Sequence, residues 1–176
     1  MKSQIIAAVR TNEDLLVALK SDVQSVFLLS TNLEIIVEQI ENAHMAGKKI
    51  FVHIDLADGI AKDEYGIKYL KSIGVDGIIS TRTNVIKMAK KLRVFAIQRF
   101  FIVDSRSIDT TIESLSASKA DMIELMPGTI DKVIKRMNET IDTPIVAGGI
   151  VETEQEVKNA LLSGAVAVST GKKDLW

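Results

Sequence analysis

The sequence predicts an α/β protein built as a compact (β/α)8 TIM-like barrel whose last helix is missing or vestigial. Three observations carry this expectation. Short β-branched runs alternate, from residue 5 to residue 168, with segments whose apolar residues recur at helical spacing. The runs number eight, which is the count that closes a parallel barrel. Most of them do not alternate apolar with polar, as befits strands covered on both faces. Length pulls the other way. The chain has 176 residues, whereas such barrels rarely fall below roughly 200, so an open doubly wound sheet stays as an alternative.

In chain order the predicted strands are Ile5–Val9, Val26–Leu29, Ile50–Ile54, Gly77–Ile79, Val94–Gln98, Met122–Leu125, Ile145–Ala147 and Ala165–Val168. Strict strand–helix alternation implies right-handed crossovers and parallel neighbours. Thr31-Asn32-Leu33-Glu34 and Thr153-Glu154-Gln155-Glu156 fit the Thr-x-x-Glu capping box, so their hydroxyls are expected to start helices. Val85, Ala89 and Leu92 mark a helix across 84–92, and Val157, Leu161 and Leu162 mark another. Beyond the eighth run the sequence reaches Trp176 without room for a full helix. An apolar pair followed by Ser-Thr ends runs two, four and eight, at Ser30-Thr31, Ser80-Thr81 and Ser169-Thr170. The last two pairs lie about half a chain apart, an internal echo that favours the barrel.

Composition is that of an ordinary globular domain, 47% hydrophobic and 26% charged, and one domain over 1–176 is expected. No apolar run approaches the ~20 residues of a membrane span. The run Ile5–Val9 is shorter than the ~7–15 residues of a signal-peptide core. The absence of cysteine excludes disulfides, thiolate metal sites and a cysteine nucleophile. A cytoplasmic protein is the expectation. The net charge of −1 decides nothing about nucleic acid, for which clustering matters.

In a barrel of this kind, ligands meet the C-terminal ends of the strands, and phosphates often meet the loops after strands seven and eight. Gly148-Gly149 and Ser169-Thr170-Gly171 fall at those ends. Bare amides and glycine backbones suit an anion there, and Ser169-Thr170 has no full helix after it to cap. Asp55 ends the third run, on the face of Phe51 and His53 by period-two alternation. A lone histidine in a strand reads first as a core residue. Glu124 interrupts an apolar run and so needs a cation, a hydroxyl or a proton. Arg99 could pair with it, pair with Asp104, or clamp a phosphate.

Catalytic constellations are thin. No lysine falls within a predicted strand, which argues against a Schiff-base aldolase, and two scattered histidines make no metal set. From Gly77 to Val103 lie six basic residues and no acidic one, among them Arg82, Lys87, Lys90 and Lys91. That stripe is either a solvated helix face or a polyanion footprint.

The stretches HIDLADGIAKDE (53–64), DGIISTRTNVIKMAKKL (76–92), IQRFFIVDS (97–105), IELMPG (123–128), PIVAGGI and GAVAVSTG together resemble the glycerol-uptake operon antiterminator family. The resemblance implies a non-enzymatic, barrel-like regulator. It would respond to glycerol 3-phosphate or a similar small phosphorylated polyol, and act on leader mRNA of glycerol-utilisation genes. Carried over residue by residue, it implies ligand-side positions Asp55, Ser80, Thr81, Gln98, Arg99 and Glu124, with Gly128, Gly148, Gly149, Ser169 and Thr170 around the phosphate. RNA would meet Arg82, Lys87, Lys90 and Lys91. No cofactor, metal or membrane is expected, and a homo-oligomer is. Arg93 stands where the family pattern suggests glycine. The alternative reading is a phosphosugar enzyme on the same scaffold, with Asp55 and Glu124 as acid and base.

Overall fold

A ring of eight parallel strands, each hydrogen-bonded to two neighbours, forms the centre of the computed structural model, which describes residues 4–176. Strands and helices follow in strict alternation. The first half runs β1 (Ile5–Val9), α1 (Asn12–Lys20), β2 (Ser25–Leu28), α2 (Ile36–Met45), β3 (Lys49–His53), α3 (Glu64–Ser72), β4 (Gly77–Ser80) and α4 (Thr83–Lys91). The second half runs β5 (Ala96–Phe101), α5 (Ser105–Ser118), β6 (Met122–Met126), α6 (Asp131–Thr140), β7 (Ile145–Gly148), α7 (Glu154–Leu162) and β8 (Ala167–Thr170). Pairing of Ile6 with Ser169 and of Ala7 with Thr170 joins β8 to β1, so the sheet is closed and the open-sheet alternative falls away. No described helix is long and apolar enough to cross a membrane.

Two apolar layers result. Ile6, Phe27, Leu29, Ile79, Ile97 and Val146 fill the barrel, while a larger layer sits between sheet and helices. The lower interior is aromatic, with Phe51 meeting Phe27 and Phe95 edge-on at centroid separations of 5.7 and 5.9 Å.

After β8 the chain makes a 3-10 turn, Lys173–Leu175, and the described residues hold seven α-helices. That turn still covers the seam between β8 and β1. Lys173 pairs with Asp14 of α1 at 2.5 Å, and the buried Trp176 indole donates to the Thr170 carbonyl at 2.8 Å. Exposed apolar side chains include Leu16 and Val17 on α1, and Leu162 and Val166 at and after the end of α7.

Three local expectations need correction. Thr31 caps no helix: it lies in a two-residue parallel ladder with Ala57–Asp58 and donates to Gln39. Asn32 turns the chain instead, accepting from the Glu34 and Ile35 amides. Asp55 leaves the strand alternation because Ile54–Leu56 is a 3-10 turn. Lys49 does lie within a strand, but it opens β3 at the N-terminal end of the barrel, remote from the loops that follow the strands. The Thr153–Glu156 box, by contrast, forms as expected and starts α7.

Candidate functional site

The upper interior of the barrel is ionic. Arg99 on β5 points inward, is 6% exposed, and donates its Nε to Glu124 Oε2 at 2.6 Å. Glu124, on β6, is wholly enclosed; its other oxygen accepts from Ser169 of β8 at 2.5 Å. A buried carboxylate thus has both oxygens occupied, as its desolvation demands. Gly148 on β7 is glycine for this reason: an added Cβ would collide with Glu124 Oε1 and stand 2.7 Å from Ser169 Oγ. The glycine makes room for the ion pair.

Above this pair the strand ends open into two adjoining cavities that share Arg10, Arg99 and Met126 as walls. One, of about 210 Å3, lies under Gly149-Ile150-Val151 and Thr170-Gly171. Gly149 and Ile150 both adopt positive φ, 73° and 58°. For a β-branched residue this is uncommon and costs about 1–2 kcal/mol, and such strain gathers at functional sites. Among the described residues, neither the Ile150 nor the Gly171 amide is spent on another backbone carbonyl. The N-terminus of α7 is less available. Glu156 already accepts from the Glu152 and Thr153 amides.

The second cavity, of about 320 Å3, is walled by His53, Asp55 and Thr81. Burial pushes the Asp55 carboxyl up, but the Thr81 amide and the Ser80 and Thr81 hydroxyls, at 2.7–2.9 Å, outweigh it and hold the group below the usual carboxylate range. His53 is 3% exposed. Burial, followed by the nearby Arg99 charge, lowers its pKa from 6.5 to about 4, so the ring is neutral near pH 7.

The structure therefore brings Asp55, Thr81, Arg99, Glu124, Gly149, Ser169 and Thr170 to one mouth, with Ser80 and Gly148 supporting them from behind. Others stand elsewhere. Gln98 faces the helices, donating to Thr83 of α4 and Ser114 of α5. The Gly128 amide is taken by the Gly148 and Gly149 carbonyls, and a Cβ there would strike the β7 backbone. Thr170 stands at the mouth, but its hydroxyl is engaged, donating to the Val151 carbonyl and accepting from the Lys172 amide. Lys90 is paired with Asp121, whereas Arg82, Lys87 and Lys91 are exposed.

Sequence reasoning missed Arg10. It follows β1 directly, and a cation one step past an apolar strand was the available signal. Among the described residues it has no carboxylate partner.

The model of the glycerol-3-phosphate responsive antiterminator family matches residues 5–176. The uncharacterized protein YgcP of Escherichia coli (strain K12) is 37% identical over 176 residues, covering 99% of this chain and 92% of its own. A crystal structure of the glycerol uptake operon antiterminator regulatory protein from Listeria monocytogenes is 36% identical, with a TM-score of 0.94 over 100% of this chain and 96% of that one. A glycerol uptake operon antiterminator-related protein from Thermotoga maritima is 30% identical, with a TM-score of 0.89 over 100% and 99%.

Proposed function

The chain belongs to the glycerol-3-phosphate responsive antiterminator family, and on that premise we propose that the barrel mouth binds glycerol 3-phosphate and that the bound state governs contact with leader mRNA of glycerol-utilisation genes. One observation carries the ligand half. Arg10 and Arg99 border a small cavity whose remaining wall is glycine-rich backbone at the ends of β7 and β8. Two guanidinium groups and free amides suit a phosphate dianion, which they can meet with charge-assisted hydrogen bonds. In this reading Glu124 is a counter-charge that keeps Arg99 in place, and Ser169 orients Glu124.

The RNA half rests on the family and on charge. Arg82, beside Asp55 at 3.9 Å, stands at the mouth, and Lys87 and Lys91 continue outward along α4. Lys90 contributes less, because Asp121 holds it. Assembly as a homodimer would use the apolar side chains left exposed on α1 and near α7.

A phosphosugar enzyme with Asp55 and Glu124 as acid and base is the less supported reading. Every oxygen of those two carboxylates already accepts a hydrogen bond from a neighbouring side chain or amide. The test is a calorimetric titration with glycerol 3-phosphate, with the reaction mixture then assayed for product. Saturable binding with the ligand recovered intact supports a sensor; turnover overturns it.

A further inference from the structure

His53 is the group at the mouth that the phosphate reading leaves without a task. It lies at the end of β3, 3% exposed, and forms part of the wall of the second cavity beside Asp55, Thr81 and Arg99. Its Nδ1 is buried with no hydrogen-bond partner, and the ring makes no hydrogen bond to any other described residue. Of the other polar groups of that wall, Arg10 is assigned to the phosphate above, and Asp55 and Arg99 are engaged within the protein. Asp55 is saturated by Ser80 and Thr81, and Arg99 has its carboxylate. A buried polar atom left unpaired is costly, and native proteins keep few of them. His44, by contrast, is tied to Asp76 at 3.0 Å. The uncharged imidazole offers one donor and one acceptor, which is the complement of an alcohol. The cavity beside it shares Arg99 with the cavity under Gly149, so an anion held at one end leaves a short neighbouring group facing His53.

We infer that His53 is the hydroxyl-reading side chain of this site, selecting phosphorylated polyols over phosphate esters that lack hydroxyl groups. The inference rests on the mouth being the phosphate site proposed above. A pocket built to hydrogen-bond an alcohol rejects the analogue without one far more strongly than an apolar pocket rejects an added hydroxyl, because its own buried polar group is then stranded. Arg10, Arg99 and the backbone amides supply affinity for the phosphate. His53 supplies the distinction.

The experiment compares glycerol 3-phosphate with n-propyl phosphate, by calorimetry, on the wild-type chain, His53→Phe and His53→Gln. The wild type prefers glycerol 3-phosphate by about tenfold or more. His53→Phe, which keeps the ring volume, brings the ratio close to one by weakening glycerol 3-phosphate alone, and His53→Gln restores part of it. A second measurement needs no variant. The chain has two histidines, so the ring nitrogen signals of His53 and His44 are separable by NMR. Glycerol 3-phosphate shifts those of His53 and leaves His44 unmoved, whereas n-propyl phosphate moves neither comparably. An unchanged ratio in His53→Phe, or equal His53 shifts with both esters, overturns the role of His53 while the phosphate site stands. Absence of binding by the wild type to either ester refutes the phosphate site itself, and the role of His53 with it.

Discussion

Replacing Glu124 by glutamine should lower stability and raise ligand affinity at once. The side chain is fully enclosed and serves two donors, Arg99 Nε at 2.6 Å and Ser169 Oγ at 2.5 Å. Glutamine keeps the volume and one acceptor oxygen, but leaves the guanidinium of Arg99, 6% exposed, without its counter-charge. Breaking a buried pair by removing one partner costs about 3–5 kcal/mol. The retained oxygen places this variant at the lower end, about 3 kcal/mol. With a urea dependence of about 2 kcal/mol per molar, the unfolding midpoint drops by roughly 1.5 M. The same change removes a negative charge from beneath a cavity proposed to hold a dianion. Glycerol 3-phosphate should then bind more tightly, and saturating ligand should recover part of the lost midpoint. Urea unfolding can be followed through Trp176, the chain's single tryptophan, which is buried against the Thr170 carbonyl. A midpoint unchanged within about 0.25 M would show that the pair adds nothing net. Lost stability together with weaker ligand binding would make Glu124 a ligand contact rather than a counter-charge.

Arg93 holds a positive φ of 56°, so Arg93→Gly should stabilise the fold by about 1 kcal/mol in denaturant unfolding. His53, at about 4 in the folded chain against 6.5 ordinarily, should make stability fall as pH drops from 6.5 to 4, because the unfolded chain takes up the proton first. The gap is worth about 3 kcal/mol, and a pH series of unfolding on His53→Gln should show that acid limb flattened. If Arg82, Lys87 and Lys91 each meet a phosphate of single-stranded RNA, log affinity should fall with log salt at a slope near −2, from about −0.7 per contact. Filter binding on the leader RNA should lose that dependence when all three become Glu, while Lys90→Gln leaves the slope nearly unchanged.

The barrel was legible because its strands are covered on both faces. Runs such as Ile145–Ala147 carry no polar residue, and the structure buries each of those side chains. Glu124 was conspicuous for the converse reason, since a carboxylate inside such a run must have partners. What sequence left open was direction. Gln98 and Arg99 are adjacent on β5, so period-two geometry lets only one of them face the mouth; the buried Glu124 chose Arg99. The two glycines of PIVAGGI likewise divide into different tasks, Gly148 yielding space to an ion pair and Gly149 turning the chain with φ 73°. Arg10 was overlooked because a single cation after a strand carries no pattern of its own, and only closure of the ring shows what it stands beside. Lys90 looked free until the fold set Asp121 next to it, from 31 residues away.

The same alternation on β5 gives the strand two unlike attachments. Arg99 engages the ionic floor on the inside, and Gln98, one peptide unit away, clasps Thr83 of α4 and Ser114 of α5 on the outside. Adjacent residues of one strand therefore tie the floor of the mouth and the joint between α4 and α5 to the same stretch of backbone, and that joint lies where the helix bearing Lys87 and Lys91 begins.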